Sequence, residues 1–346
     1  MSKIIISNSR GTWATGASYA VGDLVMVSGY PVQCLTAHTA GTYATDVQNG
    51  YWQLAYQTRN RIINGNPDVW QRGTSIAPGT GAYTADRWYG FRQGGVTGST
   101  VSRQAGPTGS LNCARIQRDS GNTSTAQVEF ISALETIESV PLAGKPVTVS
   151  FMARAGANLS STGSFIQSYI GTGQGTDQGV VSAWTGGAAV GTTSFALTTT
   201  WTKFQYTTTL ASSVTQLRLD FNFAPTGTAG ASDYFEISQI MLNEGPAPAQ
   251  FSLAGGNITG ELAMCQRFYE VVMLNAQFAA AGNNSVGAYF MAYKRSTPTL
   301  AVISGAFSSG TILLENPDAR GFRLTCAGGS AGAVIAGGAA SAACEL

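Results

Sequence analysis

Charge is what this sequence has least of. Of its 346 residues 19 are Lys or Arg and 18 are Asp or Glu, so 11% are charged and the formal net charge is +1. An average soluble domain carries roughly 25%. A near-neutral chain lacks the cationic footprint that duplex nucleic acid requires. Histidine is rarer still: His38 is the sole one. No serine elbow of the GxSxG type surrounds a plausible nucleophile, a Ser-His-Asp set would have to recruit His38 across a domain boundary, and a turn histidine is the better reading. HExxH, P-loop and helix-leading GxGxxG patterns are absent as well. The five cysteines (Cys34, Cys113, Cys265, Cys326, Cys344) are scattered without any CxxC, which argues against a disulfide framework and a zinc site alike. They read as small buried apolar residues, with Cys344 near the end the one expected to be open to intermolecular oxidation.

Long apolar runs are also missing. Only three isoleucines follow Met1-Ser2-Lys3, short of the roughly 7–15 residues of a signal-peptide core. The charge-free stretch from Cys326 to Cys344 is mostly Gly, Ala and Ser, whereas a span needs about 20 predominantly apolar residues. Neither a leader nor membrane insertion is expected. Disorder is excluded from the other side, since 44% of residues are hydrophobic and 10% aromatic. The solvated surface must therefore be made of Ser, Thr, Asn, Gln and Gly, as in extracellular or virion β-proteins.

What is present is alternation with a period of two. In Gln216–Phe223 every second residue is Leu or Phe and those between are polar, the pattern of a strand buried on one face. Lys145–Arg154, Trp201–Leu210 and Tyr234–Leu242 repeat it. Gly-rich clusters, Gly171–Gly175 and Pro225–Gly230, separate them as turns. Strands with almost no helix between them predict an all-β chain built on an antiparallel sandwich or jelly roll. No repeat of fixed period supports a β-helix. Helical spacing occurs once, with Cys265, Phe268, Tyr269 and Val272 at i, i+3, i+4, i+7 and Thr259 placed to cap the start. The chain then divides into a small β module at 1–57, a connector at 58–80, a jelly roll at 81–252, a helix and linker at 253–275, and a C-terminal β tip at 276–346. In the tip, Ser285–Arg295, Thr311–Glu315 and Gly321–Cys326 read as strands. The closing Gly328–Ala343 run has side chains too small to make a core alone; close approach at a symmetry axis and a flexible tail fit it equally.

Few residues suit chemistry. Glycan cleavage needs two carboxyls roughly 5–10 Å apart, and Asp177, Asp220, Asp233 and Glu236 are the candidates. Asp220 and Glu236 fall on polar strand faces, where solvated charges explain them. Asp177, Asp233 and nearby carbonyls have the oxygen chemistry of a calcium site but no EF-hand spacing; no cofactor is expected. Aromatic rings flanked by Asn, Gln, Asp and Arg suit sugars better. Trp13 and Trp52 are expected in the core of the first module. Tyr30, Tyr43 and Tyr51 are freer to face outward. In the larger domain Trp70, Trp88 and Trp201 read as strand core, and Trp184, in a loop-like SAWTGG setting, is the best exposed ring. The carbohydrate-binding candidates are thus Tyr30, Tyr43, Tyr51 and Trp184.

Two runs carry a resemblance. Asn60–Ser75 (NRIINGNPDVWQRGTS) with Tyr83–Trp88 (YTADRW), and Asp233–Gly245 (DYFEISQIMLNEG) with Phe251 and Glu261–Glu270 (ELAMCQRFYE), resemble the entry and exit of the carbohydrate-binding-like jelly roll of tailed-phage tail fibres and related virion fibres. Trp13, Tyr19, Gly22-Asp23-Leu24-Val25, Gly29-Tyr30, Cys34, His38-Thr39-Ala40 and Trp52 are similar to small chitin-binding-like modules of chitinases and phage tail proteins. The resemblance implies a homotrimeric, non-enzymatic virion fibre that contacts other virion proteins through its N-terminal region and host-surface polysaccharide through its outer parts. A head or collar fibre with a purely architectural role, and a glycan depolymerase or esterase, are the alternatives.

Overall fold

The computed structural model describes residues 8–346; the isoleucines weighed as a leader lie outside the described residues. The chain is all-β, as its alternation predicts, with strands throughout and three short α-helices among the described residues. It forms two compact units, one running to Ala254 and including Leu346, the other Gly255–Glu345.

The first unit begins with β1 (Ser9–Thr12), β2 (Ser18–Tyr19), β3 (Leu24–Val27), β4 (Tyr30–Cys34), β5 (His38–Thr39), α1 (Tyr43–Gln48) and β6 (Trp52–Leu54). The sheet order is β1-β3-β4-β6, with β2-β5 beside it. Trp52, fully buried, stacks edge-on against Tyr19 at 5.1 Å. The module is too small to close its own core. Met241, Ala247 and Ala249, which follow in the larger domain, complete the cluster around Trp52, Val32 and Leu54.

The larger part is a sandwich of two six-stranded antiparallel sheets. Its strands are β7 (Ser75–Ile76), β8 (Ala82–Tyr83), β9 (Tyr89–Arg92), β10 (Ser99–Ala105), β11 (Asn112–Arg118), β12 (Val128–Ala133), β13 (Pro146–Ala155), β14 (Phe165–Gly173), β15 (Ala188–Ala196), β16 (Thr202–Thr209), β17 (Gln216–Phe223) and β18 (Tyr234–Glu244), with α2 (Thr136–Ser139) after β12. One sheet is ordered β16-β13-β18-β11-β10-β7 and the other β15-β14-β17-β12-β9-β8. Alternate residues of both sheets fill the space between them: Val147, Val149 and Phe151 of β13, Leu217, Leu219, Phe221 and Phe223 of β17. Trp88 stacks flat on Phe130 at 4.4 Å.

Residues 60–74 are not a free connector. Ile62 and Trp70 sit in the sandwich core, and three buried asparagines splice the segment into the sheets. Asn60 accepts from the amides of Ile62 and Leu242 and donates to the carbonyls of Ile240 and Ser252. Asn64 accepts from Asp68 and Val69 and donates to Val69 and Asp86. Asn66 accepts from Ser110, Ser238 and Gln239. An irregular backbone can be buried only if its polar groups are paired, and an Asn side chain can supply both a donor and an acceptor, as it does at 60 and 64. Gly65 is required by space: a Cβ there would stand 2.2 Å from the Ile240 carbonyl.

The second unit opens with α3 (Ile258–Gln266), followed by β19 (Tyr269–Phe278), β20 (Gly282–Tyr289), β21 (Thr299–Ser304), β22 (Thr311–Glu315), β23 (Gly321–Gly329) and β24 (Ala333–Ala343) in sheets β19-β24-β21 and β20-β23-β22. The helix cap is Asn257, whose side chain accepts from the Gly260 amide at 2.9 Å, not Thr259. The helix also ends early, because Tyr269 and Val272 belong to β19. The strand expected over Ser285–Arg295 leaves its sheet after Tyr289. The small-residue run is neither tail nor loop: β24 is the central strand of its sheet, with Ala340 and Ala342 fully buried. All five cysteines are buried; the Cys344 thiol, expected to be open, donates to the Arg267 carbonyl at 3.1 Å.

Candidate functional site

The two sheets of the sandwich differ on their outer faces. On the β18 side Glu236 points outward but is not solvated. Arg115 and Arg154 close over it, the first ion pair at 2.6 Å, leaving it no exposure. Those guanidiniums in turn lie on Tyr234 and Trp201, at 3.9 and 4.9 Å from the ring centroids. Trp201 is therefore a half-buried outer residue rather than strand core. Around Glu236 this face is closed by its own side chains; elsewhere on it a depression of about 310 Å³ is lined by Ser150, Met152, Lys203 and Gln239.

The outer face of the β17 sheet is covered over its middle, where Glu129, Asp220 and Asn222 are buried, and opens in two depressions. Register places Gln167 beside Asn222 and Asn222 beside Glu129, then Tyr169 beside Asp220, then Gly171 beside Arg218. Paired residues share a face, so these side chains form one continuous surface across β14, β17 and β12. At one end lies a depression of about 390 Å³ lined by Tyr169, Thr172, Ser182, Trp184, Ala188 and Arg218. At the other lies one of about 230 Å³ lined by Gln127, Phe165, Gln167, Ser194 and Asn222.

Trp184 is placed in the first depression by the 174–187 loop. Its indole N–H donates to the Gly179 carbonyl at 3.0 Å, and Gln178 accepts from the Thr185 amide at 3.0 Å. Arg218 lies over the ring, its guanidinium carbon 5.1 Å from the centroid, and donates to the Val180 carbonyl at 2.7 Å. Two glycines make room for the pair. A Cβ on Gly171 would stand 2.8 Å from Arg218, and one on Gly173 would stand 3.0 Å from the Trp184 ring. Gly171 and Gly173 are thus strand residues of β14, not the turn that their composition predicts.

Between the depressions sits a carboxyl pair. Asp220, expected to be a solvated strand-face charge, has no exposure. It accepts from the Tyr169 hydroxyl at 3.0 Å and from the Asn222 amide at 2.8 Å, and it shares a hydrogen bond with Glu129. Burial, and then the Asp220 charge, push the Glu129 carboxyl up to about 8, and burial also raises Asp220. Two carboxyls in contact cannot both ionise cheaply, so near neutral pH Glu129 holds the shared proton. An amide chain continues the surface: Gln93 donates to Gln127 at 2.6 Å, and Gln127 donates to Asn222. Glu129 is legible in the sequence only as one acid in a strand. The contact with Asp220 requires the β12–β17 register.

The other candidate acids have structural partners. Asp233 is fully buried against Arg118 at 2.9 Å and accepts from the Ser160 amide. Arg118 also donates to the carbonyls of Asn122, Ser124 and Gly227, so a guanidinium occupies the loop carbonyls beside Asp233. Asp177 accepts from the Thr136 amide at 2.7 Å at the start of α2. His38 is held between the Thr36 carbonyl (2.7 Å) and Asp46 (3.4 Å), under the Tyr51 ring.

The three tyrosines of the first module are half-buried rather than free to face outward. Tyr30 donates to Glu244 at 2.7 Å, Tyr43 packs edge-on against Trp13 at 5.3 Å, and Tyr51 stands 4.5 Å from His38. None of them lines either depression. A module this small draws its rings inward to make a core.

No family model matches the chain, and no curated protein matches it. Solved structures do. A bacteriophage CBA120 tailspike protein 4 enzymatically active domain aligns at 11% identity over 54% of this chain, with a TM-score of 0.34. This chain spans only 21% of that one. A CBM4 structure aligns at 20% identity and a TM-score of 0.34, covering 53% of this chain and 98% of the module. The CBM22-1 xylan-binding domain from Paenibacillus barcinonensis Xyn10C aligns at 14% identity and a TM-score of 0.30, over 50% and 94% of the two chains.

Proposed function

We propose that this chain is a fibre component of a tailed-phage virion and that its sandwich binds host-surface glycan, without cutting it, along the outer face of the β17 sheet. The observation that carries this reading is the depression in which Trp184, Tyr169 and Arg218 surround an open space, with a second depression lined by Gln127 and Gln167 on the same face. Sugars present apolar ring faces and many hydroxyls; the Trp184 indole answers the first, and the Arg218 guanidinium with the amides of Gln127 and Gln167 answers the second. A surface with few net charges suits a neutral, hydrogen-bonding ligand. The fibre assignment rests on the two sequence runs that resemble virion fibres, and with it go the trimer, the contact of the N-terminal module with other virion proteins, and the location on the particle.

Cleavage is the second reading, and the raised Glu129 carboxyl beside Asp220 is what favours it. Against it, glycosidase carboxyls stand roughly 5–10 Å apart, whereas these two are in hydrogen-bond contact and Asp220 has no exposure. Incubating the purified protein with host-surface polysaccharide, and following both retention and chain length, separates the readings. Retention at unchanged chain length is expected. New reducing ends overturn the binding-only view, and no retention on any host polysaccharide favours an architectural fibre.

A further inference from the structure

The second unit carries an aromatic depression that the sandwich site does not use. After β20 the chain runs outward with alternating side chains. Tyr289, Met291 and Tyr293 are 78%, 83% and 67% exposed, while Phe290 and Lys294 turn inward. Large apolar side chains exposed together mark a contact surface. The hollow they form with Arg320 measures about 320 Å³, at the small end of the range for ligand pockets.

Its walls are fixed from behind. Lys294 and Glu270, both essentially unexposed, pair at 2.6 Å, and the other Glu270 oxygen accepts from the Met291 amide at 2.8 Å. Phe290 donates its amide to the Arg320 carbonyl and Lys294 donates its amide to the Ala319 carbonyl, both at 2.9 Å. The Asp318 carboxylate is occupied by the backbone amides of Arg320 and Gly321. A surface loop this tightly held presents its tyrosines without further ordering cost.

Arg320 sets the ligand's chemistry. Its guanidinium lies 5.9 Å from the Tyr293 ring, and among the described residues no carboxylate pairs with it. An exposed, unpaired guanidinium beside the Tyr293 ring, in a hollow that Tyr289 also lines, matches a carboxylate carried on an apolar-faced ring. We infer that the Tyr289–Tyr293–Arg320 hollow is a second glycan site, specific for acidic saccharides such as uronic or sialic acids. It makes no use of the Trp184 face, so it stands or falls separately.

The test is binding of the full chain to oligosaccharides bearing galacturonate, glucuronate or N-acetylneuraminate, each beside its carboxyl-reduced counterpart. The site predicts that at least one acidic ligand binds at least tenfold more tightly than its reduced form. That preference should vanish in Arg320→Gln, return in part in Arg320→Lys and persist in Trp184→Ala. Tyr293→Ala should weaken binding of the same ligand with the fold intact by circular dichroism. Equal affinity for acidic and reduced forms overturns the inference, as does a preference indifferent to Arg320→Gln. Self-association that Tyr289→Ser abolishes, with no acidic glycan bound, overturns it too and makes the hollow a contact between copies.

Discussion

Glu129 is held protonated by its surroundings, and this has a consequence for stability. In the unfolded chain a glutamate releases its proton near its ordinary value of 4.5, whereas in the fold Glu129 keeps it to about 8. Between these values the folded state binds more protons than the unfolded one. The unfolding free energy should therefore fall as pH rises through that window, by at most about 1.4 kcal/mol per pH unit from this group, and level off above it. Glu129→Gln, which keeps the hydrogen bond without the titration, should raise the melting temperature more at pH 8 than at pH 5. Equal shifts at the two pH values would contradict the assignment of the proton to this pair. Alternation places Asp220 on an outer face, but the pattern says nothing of what covers that face. Its burial follows from Tyr169, Asn222 and Glu129 on three strands, partners that a single strand's sequence does not reveal. Glu236 is hidden in the same way by Arg115 and Arg154. Trp184 is legible as a ring in a loop, whereas Arg218 across it depends on the pairing of β14 with β17 and on the space left by Gly171.

At the level of elements, strands are the most legible part of this chain. Gln216–Phe223 is a strand over its full alternating length, and the runs starting near residues 145, 201 and 234 become β13, β16 and β18. What the pattern misses is irregular structure that is buried. Asn60–Thr74 looks like a connector because it has neither a period of two nor of 3.6, yet its asparagines stand in for a ladder. Asn60→Ala should leave the amides of Ile62 and Leu242 and two carbonyls without their partner. At about 1–3 kcal/mol for each buried group left unsatisfied, denaturant unfolding should show a loss of several kcal/mol. Gly65→Ala should destabilise by at least 1–3 kcal/mol, roughly the cost of overpacking, because its methyl meets backbone rather than a side chain that can move. A loss under about 0.5 kcal/mol in either variant would mean that the segment is not part of the folded sandwich. The helix shows the converse limit: i, i+3, i+4, i+7 spacing also fits a helix of nine residues running straight into a strand.

For the whole molecule, low charge acquires a positive role. Several of the few charges are spent inside, as Arg118 with Asp233 and Lys294 with Glu270, or in closing over Glu236, and amides, hydroxyls and rings line the depressions of the β17 sheet. β24, with its run of Gly and Ala, is the central strand of its sheet. Light scattering at micromolar concentration should give three chains, and a stable single chain would remove the fibre assignment. The glycan reading itself is tested most directly by calorimetric titration of host-surface polysaccharide fragments into the protein and into Trp184→Ala. Saturable binding is expected, weakened at least tenfold, about 1.4 kcal/mol, in the variant, with an unchanged melting temperature. Equal binding by the two proteins would contradict it.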